Sequence, residues 1–195
     1  MSPHILVVGG AGYVGSHIAY HLNSLGYSVT ILDSLRYGQS PQKLRAFARV
    51  VVGDYGDRAL LDALFAQQQF VGVMHCAALI EVGESVRDPG PFYANSVCKT
   101  QTLLDAMRTA GVHNIIFSSS CAVYGMPQQV PITESHPFAP ISPYGRTKVA
   151  VEYLLHDSAG VPPLGAGSRL DSGGTVGCRG RIEEIFAEAL ARHIL

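Results

Sequence analysis

A chain of 195 residues, 47% hydrophobic and 15% charged, is one domain of ordinary size or one domain plus a fragment, and it is apolar enough for a parallel sheet covered on both faces. A formal net charge of -1 without a basic cluster makes nucleic acid a poor partner. No apolar run approaches the ~20 residues of a membrane span. Met1-Ser2-Pro3-His4 also lacks a basic n-region and a cleavage site, so no membrane partner and a cytoplasmic location are expected.

Residues 4–8 form a short apolar run ending in glycine, which predicts a buried strand. Helical spacing over 13–25 (Val14, Ile18, Leu22, Leu25) stops at Gly26. Strands follow at 28–32 and 50–52, then a helix at 57–67 with Asp57 as its N-cap. A strand at 71–75, a long helix at 91–110 stopped by Gly111, and a strand at 114–117 come next. Prolines between Met126 and Pro143 predict a loop, and 143–156 predicts a helix. This alternation predicts an α/β fold: a Rossmann-like doubly wound parallel sheet of order 3-2-1-4-5, with functional groups at the carboxyl ends of its strands. After about residue 159 the character changes. Glycine and proline punctuate 160–180, which reads as loop or disorder, and 181–195 returns to the spacing of an amphipathic helix. The chain thus divides into a domain at 1–158 and an atypical tail at 159–195.

The turn Gly9-Gly10-Ala11-Gly12-Tyr13-Val14-Gly15 joins the first strand to the first helix. Gly9, Gly12 and Gly15 suit the pyrophosphate of a dinucleotide; the bland alternative is a tight βα turn without a ligand. Asp33, ending the second strand, can accept from both hydroxyls of an adenosine ribose, which favours NAD over NADP, although Arg36 is nearby. Asp54 is placed to meet an adenine amino group, or equally to serve as a turn acid. Ala77, in Cys76-Ala77-Ala78, lets a flat cofactor lie against the backbone. His75 reads as a core histidine, and the four cysteines, without C-x-x-C spacing, read as buried reduced thiols, so no metal site is expected. Tyr144 and Lys148 stand at i and i+4 of one helix face, where the ammonium should lower the phenol pKa and make the tyrosine an acid–base group. With a hydroxyl from Ser118-Ser119-Ser120, this describes hydride chemistry at a carbinol carbon.

As a set, residues 9–16, 32–35, 53–54, 75–86, 93–100, 117–125 and 142–152 resemble the extended short-chain dehydrogenase/reductase family, most closely its UDP-glucose 4-epimerase branch. The run Val82-Gly83-Glu84-Ser85 points to that branch rather than to sugar dehydratases. The resemblance covers about residues 4–156 and implies NAD as cofactor, a UDP-sugar as substrate, and hydride removal and return at C4 through a 4-keto sugar. It implies that Tyr144 moves the proton, Lys148 also holds the nicotinamide ribose, and Ser120 bonds the 4-oxygen. Tyr13, Val14 and Asn95 map onto further cofactor contacts. It also implies a homodimer through the helices at 91–110 and 143–156, with Leu103, Leu104, Met107, Val151 and Leu154 as apolar surface. Ile80 and Lys99 stand where the family usually has a lysine and a glycine. The family's following strand and its C-terminal substrate domain have no counterpart after residue 156. The expectation is therefore little or no turnover by this chain, a bare edge at 114–117, and, as the alternative, a non-catalytic NAD-binding or dimerising fragment.

Overall fold

A computed structural model describes residues 2–38, 40–133 and 135–158, and the backbone of 170–171 and 175–176. β1 (His4–Val8) leads into α1 (Tyr13–Ser24), β2 (Ser28–Asp33), α2 (Pro41–Leu44), β3 (Arg49–Val52), α3 (Arg58–Gln67) and β4 (Gly72–His75). Then come α4 (Val82–Arg87), α5 (Gly90–Tyr93), a π turn (Ala94–Cys98), α6 (Lys99–Thr109), β5 (Ile115–Phe117), a 3₁₀ turn (Cys121–Val123) and α7 (Pro143–Ser158). The strands are parallel in the order β3-β2-β1-β4-β5, the predicted doubly wound sheet.

Alternation along β1 builds both layers of the core. Ile5 and Val7 face Ile18, Ala19 and Leu22 of α1. Leu6 and Val8 face Leu61 and Leu64 of α3 and Leu103 and Met107 of α6. Each fully buried Leu or Ile contributes about 1.5–3 kcal/mol, so these two stripes fix the helices on the sheet. A third cluster, Phe117 with Val151 and Leu155, fastens α7 beside β5. Asp57 caps α3 as expected, accepting from Leu60 N at 3.1 Å.

The ends of the strands are level. Val8 pairs with Leu32 on one side and His75 on the other, His75 pairs with Phe117, and Asp33 pairs with Val52. Every chain exit that carries a candidate residue therefore opens on one edge.

Several expectations change. The helix predicted over 91–110 is present as one continuous run, α5, the π turn and α6, with the π turn as the feature not expected. The segments at α2 and α4 are helical where no helix was predicted, because four- and six-residue helices are too short for a periodic signal. Leu103, Met107 and Val151, expected on a dimer surface, are buried in the core of this chain; the broadest apolar stripe of each helix faces its own sheet first. Only Leu104 and Leu154 of that set remain partly exposed. The thiols of Cys76, Cys98 and Cys121 are free, but Cys98 and Cys121 are exposed rather than buried. Cys98 lies on the outer side of the π turn, whose Val97 takes the place against Phe117, and Cys121 opens the 3₁₀ turn, whose Val123 is the buried residue. A two-residue pair, β6 (Leu170–Asp171) antiparallel to β7 (Thr175–Val176), stands within the stretch read as loop, not hydrogen-bonded to the main sheet but with β7 close to β5. Two residues per strand give composition nothing to register. The rest of the tail, including Cys178 and the helix predicted over 181–195, lies outside the described residues. Among the described residues no helix is long and apolar enough to cross a membrane.

Candidate active site

The turn after β1 is shaped by backbone crowding. Gly9 has φ +78°, and a Cβ there would stand 2.5 Å from Ala77 N, so the exit of β1 lies directly against that of β4. A Cβ on Gly15 would stand 2.3 Å from Gly9 O, which is why the helix can begin so close to the strand. Gly12 differs: the atom nearest its Cβ position is Gly9 O at 3.4 Å, so this side of the turn is open. Gly12 also begins α1 without a side-chain cap, and no acid occupies the first turn. The free N–H groups and positive end of the helix are left for an anion. Tyr13 and Val14 form that first turn. A dinucleotide diphosphate fits this cradle.

Asp33 holds the cradle in shape. One carboxylate oxygen accepts from Ala11 N at 2.9 Å and the other from Leu35 N at 2.8 Å. Each oxygen keeps a second lone pair for a hydroxyl. Leu35 takes φ 58° in this bend, a conformation costly for a non-glycine residue and maintained here by the carboxylate. Next to it, Tyr37 Oη donates to Glu81 at 2.6 Å, joining the chain exits of β2 and β4 on either side of the glycine turn.

Asp54 is engaged as a turn acid. One oxygen accepts from Gly56 N at 2.8 Å and the other from Lys99 Nζ. Desolvation pushes its carboxyl up, but the Lys99 hydrogen bond, the Gly56 N–H and the Lys99 charge together hold it below the ordinary range. Lys99 thus ties α6 to the end of β3. The π turn before it carries Asn95, whose freed carbonyl accepts from the Tyr55 hydroxyl. His75 is buried, as expected: Nε2 meets Thr100 Oγ1 at 2.8 Å, and the rings of Tyr55 and Phe117 flank it at 5.1 and 5.4 Å. Desolvation lowers its pKa to about 3, so it is neutral.

The chain beyond β5 meets α7 residue by residue. Lys148 is buried, and its Nζ donates to Ser118 O at 2.8 Å, 4.6 Å from the centroid of Phe117. Ser119 Oγ meets the Glu152 carboxylate. Ser120 caps the 3₁₀ turn, accepting from Ala122 N at 3.2 Å, with its hydroxyl on the side of the Tyr144 phenol and acting on it. Three consecutive residues therefore engage three consecutive turns of one helix face.

One expectation is overturned. Burial raises the Tyr144 phenol above its ordinary pKa; the Ser120 hydrogen bond acts against that rise and the Cys121 thiol adds to it. The lysine does not lower it here, because its ammonium is engaged by Ser118 O and stands 5.8 Å from the tyrosine ring centroid. Desolvation brings Lys148 itself down to about 8, with Cys76 and Glu152 opposing the fall.

Two further positions were not legible. Ser85, fully buried, donates to Val82 O at 2.6 Å and accepts from Tyr144 N at 3.1 Å, so α4 sets the start of α7. A serine that caps a helix 59 residues away leaves no local pattern. Glu152 is four residues beyond Lys148, and that spacing was the available signal.

The chain matches the family model for the NAD dependent epimerase/dehydratase family over residues 5–161. It is 49% identical over 156 residues to a UDP-glucose 4-epimerase of Rhizobium leguminosarum bv. trifolii, covering 78% of this chain and 46% of that protein. To a UDP-glucose 4-epimerase of Streptomyces lividans it is 44% identical over 167 residues, covering 85% and 50%. The crystal structure of UDP-glucose 4-epimerase from Brucella ovis in complex with NAD superposes with TM-score 0.78 at 45% identity, over 82% of this chain and 50% of that one. The chain spans about half the length of the relatives it matches.

Proposed function

The chain belongs to the NAD dependent epimerase/dehydratase family, and from that premise we propose that it holds NAD and carries the acid–base apparatus of a UDP-glucose 4-epimerase. The observation that carries this reading is the juxtaposition on one sheet edge. The open cradle at Gly12 and the Tyr144–Lys148–Ser120 group both lie at the carboxyl ends of level parallel strands. Gly9, Gly12, Gly15, Tyr13 and Val14 receive the diphosphate, Asp33 the adenosine ribose, and Asp54, Ala77 and Asn95 the remaining flanks.

Bound NAD supplies a hydride acceptor and, on the return step, a hydride donor. Tyr144 accepts the proton of the sugar 4-hydroxyl and later returns one. Ser120 donates a hydrogen bond to the 4-oxygen, and Lys148 supplies positive charge and holds the nicotinamide ribose. In this arrangement the phenol starts protonated, and with Lys148 beside a bound cofactor's ribose its positive charge would act to lower the phenol pKa. The outward sides of α6 and α7, with Leu104, Leu154 and the half-exposed Tyr153, offer the surface for a second copy. Light scattering at rising concentration should show a dimer.

Because the matched region is about half of each relative, cofactor binding and sugar turnover are tested separately. Calorimetry should show NAD bound more tightly than NADP. Incubation with UDP-galactose and NAD should yield little UDP-glucose. Absence of NAD binding by a folded chain would overturn the reading; robust turnover would show that a sugar site is complete in these 195 residues.

A further inference from the structure

Glu152 is used by no step above, yet it is placed as though it belonged to the site. It lies on α7 at the third position of the series Tyr144, Lys148, Glu152, and is 3% exposed. One carboxylate oxygen meets Ser119 Oγ, while Oε2 is buried without a hydrogen-bond partner. Lys148, one turn earlier, is also 3% exposed, with a single carbonyl as its hydrogen-bond acceptor among the described residues.

A buried ammonium with one neutral acceptor requires a counter-charge or loses its proton. The groups around it can be taken element by element. From β4 and its exit come His75 and Cys76. From β5 and the chain after it come Phe117, Ser118, Ser119, Ser120 and Cys121, and from α7 come Tyr144 and Glu152. The other elements packed on α7 bring Glu84 of α4, paired with Arg87, the exposed Cys98 of the π turn, and Lys99 of α6, paired with Asp54. His75 is neutral, held to about 3 by desolvation. The Cys76 thiol, desolvated and pushed up to about 12, is neutral too. Tyr144 keeps its proton because burial raises it. Cys121 is exposed, beyond the dry interface. The remaining acid is Glu152, on the same helix face and locked by Ser119.

We propose that Glu152 is the internal counter-ion of the tyrosine–lysine face, ionised at neutral pH, holding Lys148 charged and fixing it against the end of β5 through Ser119. It is a positioning residue: it meets neither sugar nor cofactor and acts through Lys148. The proposal rests on the reading of Tyr144 and Lys148 as the acid–base pair. Burial raises the Glu152 carboxyl above its ordinary range, with the Ser119 hydrogen bond and the Lys148 charge acting against the rise; the proposal is that the pair, taken together, is still charged at neutral pH. A consequence is that the lysine, already brought to about 8, stays cationic at neutral pH only while Glu152 is present.

The test is an NMR titration of the full chain with ¹³Cε-labelled lysine, assigned by the signal missing in Lys148→Arg. Glu152→Gln keeps the volume and can still bond Ser119 but removes the charge. It should lower the Lys148 midpoint by roughly one unit, while Ser119→Ala, which leaves the charge, should move it less. An unchanged midpoint in folded Glu152→Gln would mean a neutral glutamic acid and would overturn the proposal. Should that variant fail to fold, the ¹³Cδ shift of Glu152 in the unaltered chain reads its charge directly. An ionised carboxylate at neutral pH supports the proposal, and a protonated one overturns it. None of these readouts uses NAD or turnover, so loss of cofactor binding would count against the proposed function and leave this result standing.

Discussion

Tyr144 and Lys148 share a face because four residues make about one helical turn, and that much was readable from spacing. Spacing does not say which acceptor an ammonium will take. Here it takes a carbonyl at the end of β5, and the phenol is left to burial. Tyr144→Phe should therefore leave NAD affinity within about twofold by calorimetry, while any epimerisation falls ~10²–10⁴-fold. Lys148 has a cost that depends on pH. Its folded value is about 8 against 10.5 in the unfolded chain, so between those values the unfolded chain holds more protons and stability rises with pH. Compared with Lys148→Met across that window, denaturant melts of the unaltered chain should gain up to about 3 kcal/mol. A constant difference from pH 7 to 10 would show that the buried ammonium costs nothing. Asp33 carries two tasks. The ribose contact was expected from its place at a strand end, but its bonds to Ala11 N and Leu35 N were not, since they depend on how the turn folds back. Asp33→Ala should weaken NAD binding at least ~10-fold, because charge-assisted bonds are worth ~1.5–3 kcal/mol each. It should also lower the melting temperature of the cofactor-free chain. A variant that loses NAD affinity without losing thermal stability would assign the carboxylate to the ribose alone.

At the scale of elements, the strands and their order were legible because parallel strands buried on both faces read as apolar runs ending in glycine or acid. Residues 4–8 and 50–52 are such runs. The helices were legible where they are long. The π turn within 91–110 was not, since it inserts no unusual residue; it appears only once the Asn95 carbonyl is seen to accept from Tyr55. Misplacing Leu103 and Met107 on an outer face came from counting apolar residues without asking which stripe meets the sheet. Leu103→Ala should therefore cost about 2–5 kcal/mol of folding stability, read by chemical denaturation, with no change in dimer dissociation once corrected for folding. Ser85→Ala removes the acceptor for Tyr144 N and should cost about 1 kcal/mol. An effect on turnover larger than on stability would show that α4 positions the tyrosine as well as capping it.

For the molecule as a whole, β5 is the last strand of the described parallel sheet on that side. Among the described residues no strand is hydrogen-bonded to its outer edge, although β7 lies close to β5, and an unpaired edge invites association. Saturating NAD should raise the melting temperature, because a ligand at 100 times its Kd adds about 2.7 kcal/mol to a fold that alone binds it. A larger upward shift with NAD than with NADP would agree with an acid, not a base, at the ribose.

The three-to-three match between Ser118, Ser119, Ser120 and the successive turns of α7 also bears on what lengths of chain are permitted. Each partner is assigned by count from the end of β5, so one residue added or removed ahead of Ser118 would hand every turn of the helix the wrong neighbour at once. The stretch from Met126 to Pro143 carries no such assignment. A two-residue insertion after Gln129 should leave the lysine titration where it was, whereas a single alanine inserted after Phe117 should displace it as far as removing Glu152 does. The site would then be a matter of numbering before it is a matter of side chains: substitutions here weaken it by degrees, and a shift of one position ends it.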